Sequence, residues 1–287
     1  SAVEGCGRAS ASASGSAEAP GRVVLGGGAS TVVRLVSVDV TGGHSTAARG
    51  GGGVLVHEGG STLLLDACGV RANVAKRTGY LVASGGGVTI RPGSTAVLNG
   101  TVVEANAAVA EASDARGGGV HNSGTLRAHG SRLVGNAARS SSASAQGGAL
   151  DVRGGSAHLH GTLLANSSVD APTGAGALLY ITNGTSAVYV LPAPLGRWLS
   201  GALECTDADC AGAWIASLPG TIDGESFPPP CAAGSYASAD GIADQNSSTC
   251  TDLCPAGRAC FEPGTVASDA GSLPAAPAGY YTRRGDA

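Results

Sequence analysis

The sequence predicts an all-β protein: a right-handed, single-stranded parallel β-helix followed by a small C-terminal disulfide-rich module. Three observations carry this. A glycine-rich marker returns at residues 51, 85, 117, 147 and 175, with spacings of 34, 32, 30 and 28. A second marker, an apolar residue followed two positions later by a small residue and then Asn, trails the first at a nearly constant distance. Six of the 8 cysteines lie between Cys205 and Cys260.

Residues 1–25 are rich in Ser, Ala and Gly and read as a flexible segment or cap. The repeat fills residues 26–190. Gly51-Gly52-Gly53-Val54 recurs as Gly85-Gly86-Gly87-Val88, Gly117-Gly118-Gly119-Val120 and Gly147-Gly148-Ala149-Leu150, and weakly as Ala175-Gly176-Ala177-Leu178. The Asn markers are Val70-x-x-Asn73, Val103-x-x-Asn106, Leu133-x-x-Asn136 and Leu163-x-x-Asn166, and Val36-x-x-Asp39 reads as an earlier copy.

Between markers the pattern has period two, as in a strand whose alternate side chains point to opposite faces. Val54/Val56, Val88/Ile90 and Leu150/Val152 are assigned inward, and Thr89, His121 and Asp151 to an outward column flanked by Arg91 and Arg153. A second strand carries Leu63/Leu65, Ala96/Leu98, Leu126/Ala128 and Ala157/Leu159. A third carries the apolar residue of the Asn marker. Three strands per coil cannot bury their inner face alone, but stacking at ~4.8 Å per coil builds a shared core. Val70, Val103, Leu133 and Leu163 then form an apolar column. Asn73, Asn106, Asn136 and Asn166 form an amide ladder at one corner, satisfying backbone groups there. The polar stretches 107–116 and 137–146 are expected to project as loops. An antiparallel sandwich does not show such register-locked repeats.

Residues 191–230, with Trp198, Trp214 and Cys205/Cys210, are expected to join the two parts and cap the last coil, whose strand edges would otherwise stay unpaired. Residues 231–287 read as an incomplete cysteine-rich module. An even cysteine count clustered in a Gly/Pro-rich tail points to disulfides among Cys205, Cys210, Cys231, Cys250, Cys254 and Cys260, formed in an oxidising compartment. Zinc is the rival, but no His follows His160.

The Gly-Gly-Ala-Leu run at 147–150 and the apolar-x-x-Asn motif resemble the repeats of polymorphic outer-membrane proteins, which lie on pectin-lyase-like parallel β-helices. Val or Leu stands at positions 70, 103, 133 and 163 where that family has Phe. The resemblance implies a cell-surface location and adhesive or structural work. Cys231-Ala-Ala-Gly-Ser-Tyr236, Cys250, Cys254-Pro255-Ala-Gly-Arg-Ala-Cys260 and Pro277-Ala-Gly-Tyr-Tyr281 are similar to ephrin-receptor-like cysteine repeats, with Ala232 in place of Pro. That likeness implies a spacer or interaction module.

The formal charge of −4 is dispersed and only one of the 17 basic residues, Lys76, is a lysine. Without a basic stripe, nucleic-acid binding has little electrostatic support. No apolar run approaches the ~18 residues of a membrane helix. Membrane association is therefore expected only through further parts of a parent protein, and the absence of Met marks a processed or excised segment.

Candidate chemistry is sparse. His121, Asp151 and Arg153 form one speculative surface site, where His121 and Asp151 have the acid and base character that polysaccharide cleavage needs. A single Asp is a poor calcium site, because calcium takes six to eight oxygens. His158, His160 and His129 fit a metal by residue type, but with Arg127 they read better as an exposed basic patch. Asn99, Asn183 and Asn246 head glycosylation sequons, whereas the sequon at Asn166 coincides with the ladder. Arg284-Gly285-Asp286 is an integrin-type tripeptide of low specificity. Neither a Gly-x-Ser-x-Gly elbow nor a phosphate-binding loop occurs. The expectation is a non-enzymatic extracellular or cell-surface rod without cofactors, presenting loops to surface glycans or other extracellular proteins. The alternative is a carbohydrate-binding or polysaccharide-degrading β-helix.

Overall fold

The computed structural model describes residues 23–25, 32–46, 50–57, 60–182, 186–190, 194, 197, 221–237, 250, 252–256, 258–267, 269 and 272–276. They form a parallel β-solenoid of about five turns with a disulfide-bonded C-terminal region, and the described residues contain no helix. A complete coil has five strands rather than three. In one coil these are Val120–Asn122, Thr125–His129, Arg132–Val134, Ala137–Ser140 and Ser144–Gln146. Each pairs in register with its counterparts in neighbouring coils, giving five sheets, A to E in that order.

Sheets A, B and C enclose the main core. Val54, Val56, Val88, Ile90, Leu63, Leu65, Leu98, Leu126 and Leu159 are buried in one continuous cluster. Equivalent side chains lie above one another, so every coil supplies both faces of its neighbours' interface. Sheets D and E form a thin wing beside this core. The stretches 107–116 and 137–146, expected as loops, are instead strands of these sheets. Ala108, Ala110 and Ala138 of sheet D pack against Ala83, Ala115 and Ala145 of sheet E in a second, all-alanine core. Side chains of one methyl group let the two layers approach closely and leave little apolar signal in the sequence.

Three kinds of corner residue make the turns possible. At the B-to-C corner, Cys68, Thr101, Ser131 and Thr162 are buried in one column. Thr101 Oγ1, Ser131 Oγ and Thr162 Oγ1 donate to the carbonyls of Leu65, Leu98 and Ala128 one coil away. The unpaired thiol of Cys68 belongs to this column and donates to Leu35 O and Asp66 O. Burial pushes this thiol's pKa up.

At the C-to-D corner, Ala72, Ala105 and Gly135 adopt left-handed φ, followed by the buried Asn73, Asn106 and Asn136. Asn106 Nδ2 donates to Asn136 Oδ1 at 3.0 Å and to Val70 O at 2.8 Å, and Asn73 Nδ2 repeats this toward Asn106 Oδ1 and Val40 O. Each amide oxygen also accepts a backbone N–H from the coil before.

The third kind is the glycine run returning from sheet E to sheet A. Its first residue has left-handed φ in five coils: Gly51, Gly85, Gly117, Gly147 and Gly176. Its third residue abuts the ladder. A Cβ on Gly119 would lie 2.9 Å from Asn136 Cγ, and one on Gly87 would lie 3.0 Å from Asn106 Cγ.

The register corrects the last coil. Leu133 pairs with Leu164, not Leu163, and Asn136 N donates to Ser167 Oγ. Ser167 thus takes the ladder slot, and Asn166 sits in the left-handed turn position with φ 48° and is exposed. Asn is among the few non-glycine residues that tolerate this conformation. The position after the two glycines is occupied by Ala149 in the same coil, where a short Ser replaces the Asn. The first copy shifts as well. Val40 pairs with Val70, and Gly43 N donates to Asn73 Oδ1, so Val36 and Asp39 are not the equivalents of Val70 and Asn73. The final glycine marker likewise aligns as Gly176-Ala177-Leu178-Leu179, because Leu150 pairs with Leu179.

After the last coil the chain reverses. Thr221–Ile222 pairs antiparallel with Leu179–Ile181, and Ser226–Phe227 pairs antiparallel with Leu163–Ala165. Phe227 is buried in the main core cluster. Beyond it, disulfides join Cys231 to Cys250 and Cys254 to Cys260. Cys205, Cys210, Trp198 and Trp214 lie outside the described residues.

Two stability outcomes are expected. Leu133→Asp places a carboxylate in a fully buried column and is expected to cost several kcal/mol, read as a large fall in Tm. Gly119→Ala is expected to cost about 1–3 kcal/mol through overpacking. Adding Asn136→Ser, which copies the Ala149/Ser167 combination, is expected to recover part of that loss. A strictly additive double mutant would show that glycine and amide do not constrain each other.

Candidate buried histidine–aspartate–arginine site

The region richest in chemistry lies on the second face of sheet A. His121 is the central residue of Val120–Asn122 and Asp151 that of Leu150–Val152, and parallel register stacks one on the other. His121 Nδ1 stands 2.6 Å from Asp151 Oδ2. Arg153, two residues beyond Asp151, places Nε 3.1 Å from both of its carboxylate oxygens. The same guanidinium donates to Gln146 Oε1 and lies 5.0 Å from the centroid of the Tyr180 ring. Tyr180 is the register partner of Asp151 in the next strand.

On the other side of the imidazole, Ser123 Oγ is 3.3 Å from His121 Nε2. Ser123 opens the turn after the strand. Asn122 fixes that turn, its Oδ1 accepting from Gly124 N and its Nδ2 donating to Ser156 O. Register places Arg91 one coil before Ser123 and Arg153 one coil after, since Ser123 N donates to Ile90 O and Arg153 N to Asn122 O. The result is an ordered series: a half-buried hydroxyl, an imidazole 5% exposed, and a carboxylate with no exposure at all.

This corrects the expectation of a solvated outer column. Thr89, His121 and Asp151 are all buried. The glycine run supplies the reason. Its first residue turns left-handed so that the chain hooks over sheet A, and a Cβ on Gly147 would lie 2.6 Å from Asp151 Cβ. The end of sheet E folds against the same column: Thr89 Oγ1 donates to Ser84 O, and Gln146 meets Arg153. A buried carboxylate is costly unless paired and hydrogen-bonded, and Asp151 has both Arg153 and His121. His121, Asp151 and Arg153 are therefore brought together, but below the surface. Ser123, Gln146 and Tyr180 were missed. Carrying the repeat register one residue past the strand places Ser123 between two arginine positions, and correct alignment of the last marker places Tyr180 over Asp151.

The other candidates fall elsewhere. On the outer face of sheet B, His129 and His160 meet edge-to-face with centroids 5.1 Å apart, and His158 stacks on Tyr189 at 4.4 Å. No group of three or more His, Cys, Asp or Glu suited to a metal occurs among the described residues. Asn99 is exposed and donates to Asp66 Oδ1 at 2.6 Å, while Arg34 Nε donates to Asp66 Oδ2 at 2.6 Å. The Asn166 sequon, read as blocked by the ladder, is on the surface. Asn183, Asn246 and Arg284-Gly285-Asp286 lie outside the described residues. Among the described residues, no helix is long and apolar enough to cross a membrane.

Compared with protein-family models, curated proteins and solved structures, the chain matches none of them.

The acid limb of stability has a defined sign. Hydrogen bonds from Asn99 and then Arg34 hold the Asp66 carboxyl below its ordinary value. A depressed folded-state pKa contributes stability that is present above the unfolded value near ~4 and lost as pH falls through the folded value. Asp66→Asn is expected to make Tm less dependent on pH between about 4 and 2 than in the parent protein, by thermal melts across that range. Equal slopes would mean that these bonds do not persist in solution.

Proposed function

We propose that the protein works as a stiff extracellular or cell-surface rod that presents its wing and outer faces to surface glycans or other extracellular proteins, and that chain cleavage is not its role. The observation that carries this is continuity: five sheets run in register through the stack, so the whole repeat region is committed to one rigid lattice. The paired cysteines in the C-terminal region suit an oxidising compartment. The glycine and Asn markers support kinship with polymorphic outer-membrane protein repeats. The Cys-x-x-Gly-x-Tyr spacing after Cys231 supports an ephrin-receptor-like spacer module.

A carbohydrate-binding form of this reading is favoured by one feature. An open cleft of about 350 Å³ lies on the wing, lined by Glu111, Arg139, Ser140, Ser141 and Asp170 among others. Its charged side chains stand beside an apolar floor of Val109, Ala110, Ala171 and Pro172, a combination that suits a sugar's hydroxyls and ring face together. Polysaccharide cleavage through His121 and Asp151 is disfavoured, because glycoside hydrolysis generally needs two carboxyl groups flanking the scissile bond and here the single carboxylate is inaccessible.

The test is retention of neutral and acidic polysaccharides on the immobilised protein, with and without calcium, while new reducing or unsaturated ends are followed. Retention without new ends, weakened by Arg139→Ala, is the expected result. New ends would overturn the rod reading, and an absence of retention would direct the search to protein partners.

A further inference from the structure

The rod reading leaves the Ser123–His121–Asp151 series unused. We propose that Ser123 is an activated nucleophile with His121 as its general base, acting on small acyl esters such as O-acyl groups carried on a polysaccharide.

Four observations support the proposal. The hydrogen-bonded order is that of an acyl-transfer relay: Ser123 Oγ to His121 Nε2 at 3.3 Å, and His121 Nδ1 to Asp151 Oδ2 at 2.6 Å. Such relays are recognised by geometry and role rather than by sequence position or fold. Burial grades as the chemistry requires, from an inaccessible carboxylate to a half-buried hydroxyl. Arg153 holds Asp151 at both oxygens, which fixes the carboxylate against the imidazole and makes it a positioning residue rather than a proton donor to substrate. Finally, Ser123 lies between the register positions of Arg91 and Arg153, one coil before it and one coil after.

The step balances as follows. In the tautomer with the proton on Nδ1, that N–H donates to Asp151, and Nε2 accepts from the Ser123 hydroxyl. Ser123 Oγ attacks the ester carbonyl, and its proton passes to His121 Nε2. The C–O bond to the alcohol breaks, the alcohol leaves with the proton from Nε2, and Ser123 keeps the acyl group. Water then attacks with His121 again as base, and the carboxylic acid and free serine are released. Neither metal nor redox partner is needed. The sugar chain is not cut, so the reaction yields no new reducing ends and is independent of the retention experiment.

The test uses the folded protein and an alkyl fluorophosphonate, which forms a P–O bond to an activated serine as the P–F bond breaks and fluoride departs. Peptide mapping is expected to find Ser123 modified at least ~100-fold faster than the exposed wing residue Ser142. His121→Asn is expected to remove that advantage, whereas Ser142→Ala leaves it. Asp151→Asn is expected to lower the rate at Ser123 and Asp151→Glu to restore part of it, with Ser142 unchanged in both; equal rates in the two variants would leave Asp151 a purely structural role. Should either site variant fail to fold, the parent protein is compared with its own heat-unfolded chain, where the advantage of Ser123 is expected to vanish. Modification of Ser123 no faster than Ser142, or equally fast in His121→Asn or in the unfolded chain, overturns the proposal and leaves the rod reading intact.

Discussion

The contact on which the architecture depends is that between the glycine run and the Asn ladder. There the chain leaves the three-sided core for the wing and comes back past its own exit. Two passes of backbone must cross at a distance that a Cβ would not allow: one on Gly118 would lie 2.3 Å from the backbone of Ala137. The amides of Asn73, Asn106 and Asn136 bond across this crossing from coil to coil, so that polar backbone forced inside is satisfied. Without glycine the wing cannot close, and without a side-chain oxygen in the ladder slot, from an amide or from the Ser167 hydroxyl, the crossing would hold unpaired donors.

Most of the solenoid was legible in the sequence because stacking copies chemistry from coil to coil. Large inward residues at period two mark sheets A and B, and the Asn ladder marks the crossing. The wing escaped notice for a physical reason. Its core is built of Ala108, Ala115, Ala138 and their neighbours, which alternate with Val109, Arg116 and Arg139, and such stretches look like polar loops. The slip at Leu163/Leu164 escaped because Asn166 preserves the motif while changing its role from ladder to turn.

The His121–Asp151–Arg153 group was visible as a set of residues but not as a buried set. Alternation along a strand tells which side chains share a face, not what covers that face. The covering comes from the hook of the glycine run and from residues such as Gln146, distant from any rule of period two. Parallel register then does what a loop-built site achieves only by long-range folding. It puts residues 30 positions apart in direct contact and holds them with the rigidity of the lattice. Ser123 is the member hardest to read from the sequence, because it lies in the turn after the strand and only the register carried one residue further places it, between arginine positions of neighbouring coils.

The antiparallel return of Thr221–Ile222 and Ser226–Phe227 also bears on mechanics. A load applied beyond Phe227 meets two short strand pairs and one buried aromatic before it reaches the solenoid. Once these yield, the exposed coil is held mainly by a single neighbour, as in other one-dimensional stacks. Extension then proceeds by peeling, with each coil of roughly 30 residues releasing on the order of 100 Å of contour length. A stack built this way lengthens in steps under tension rather than all at once.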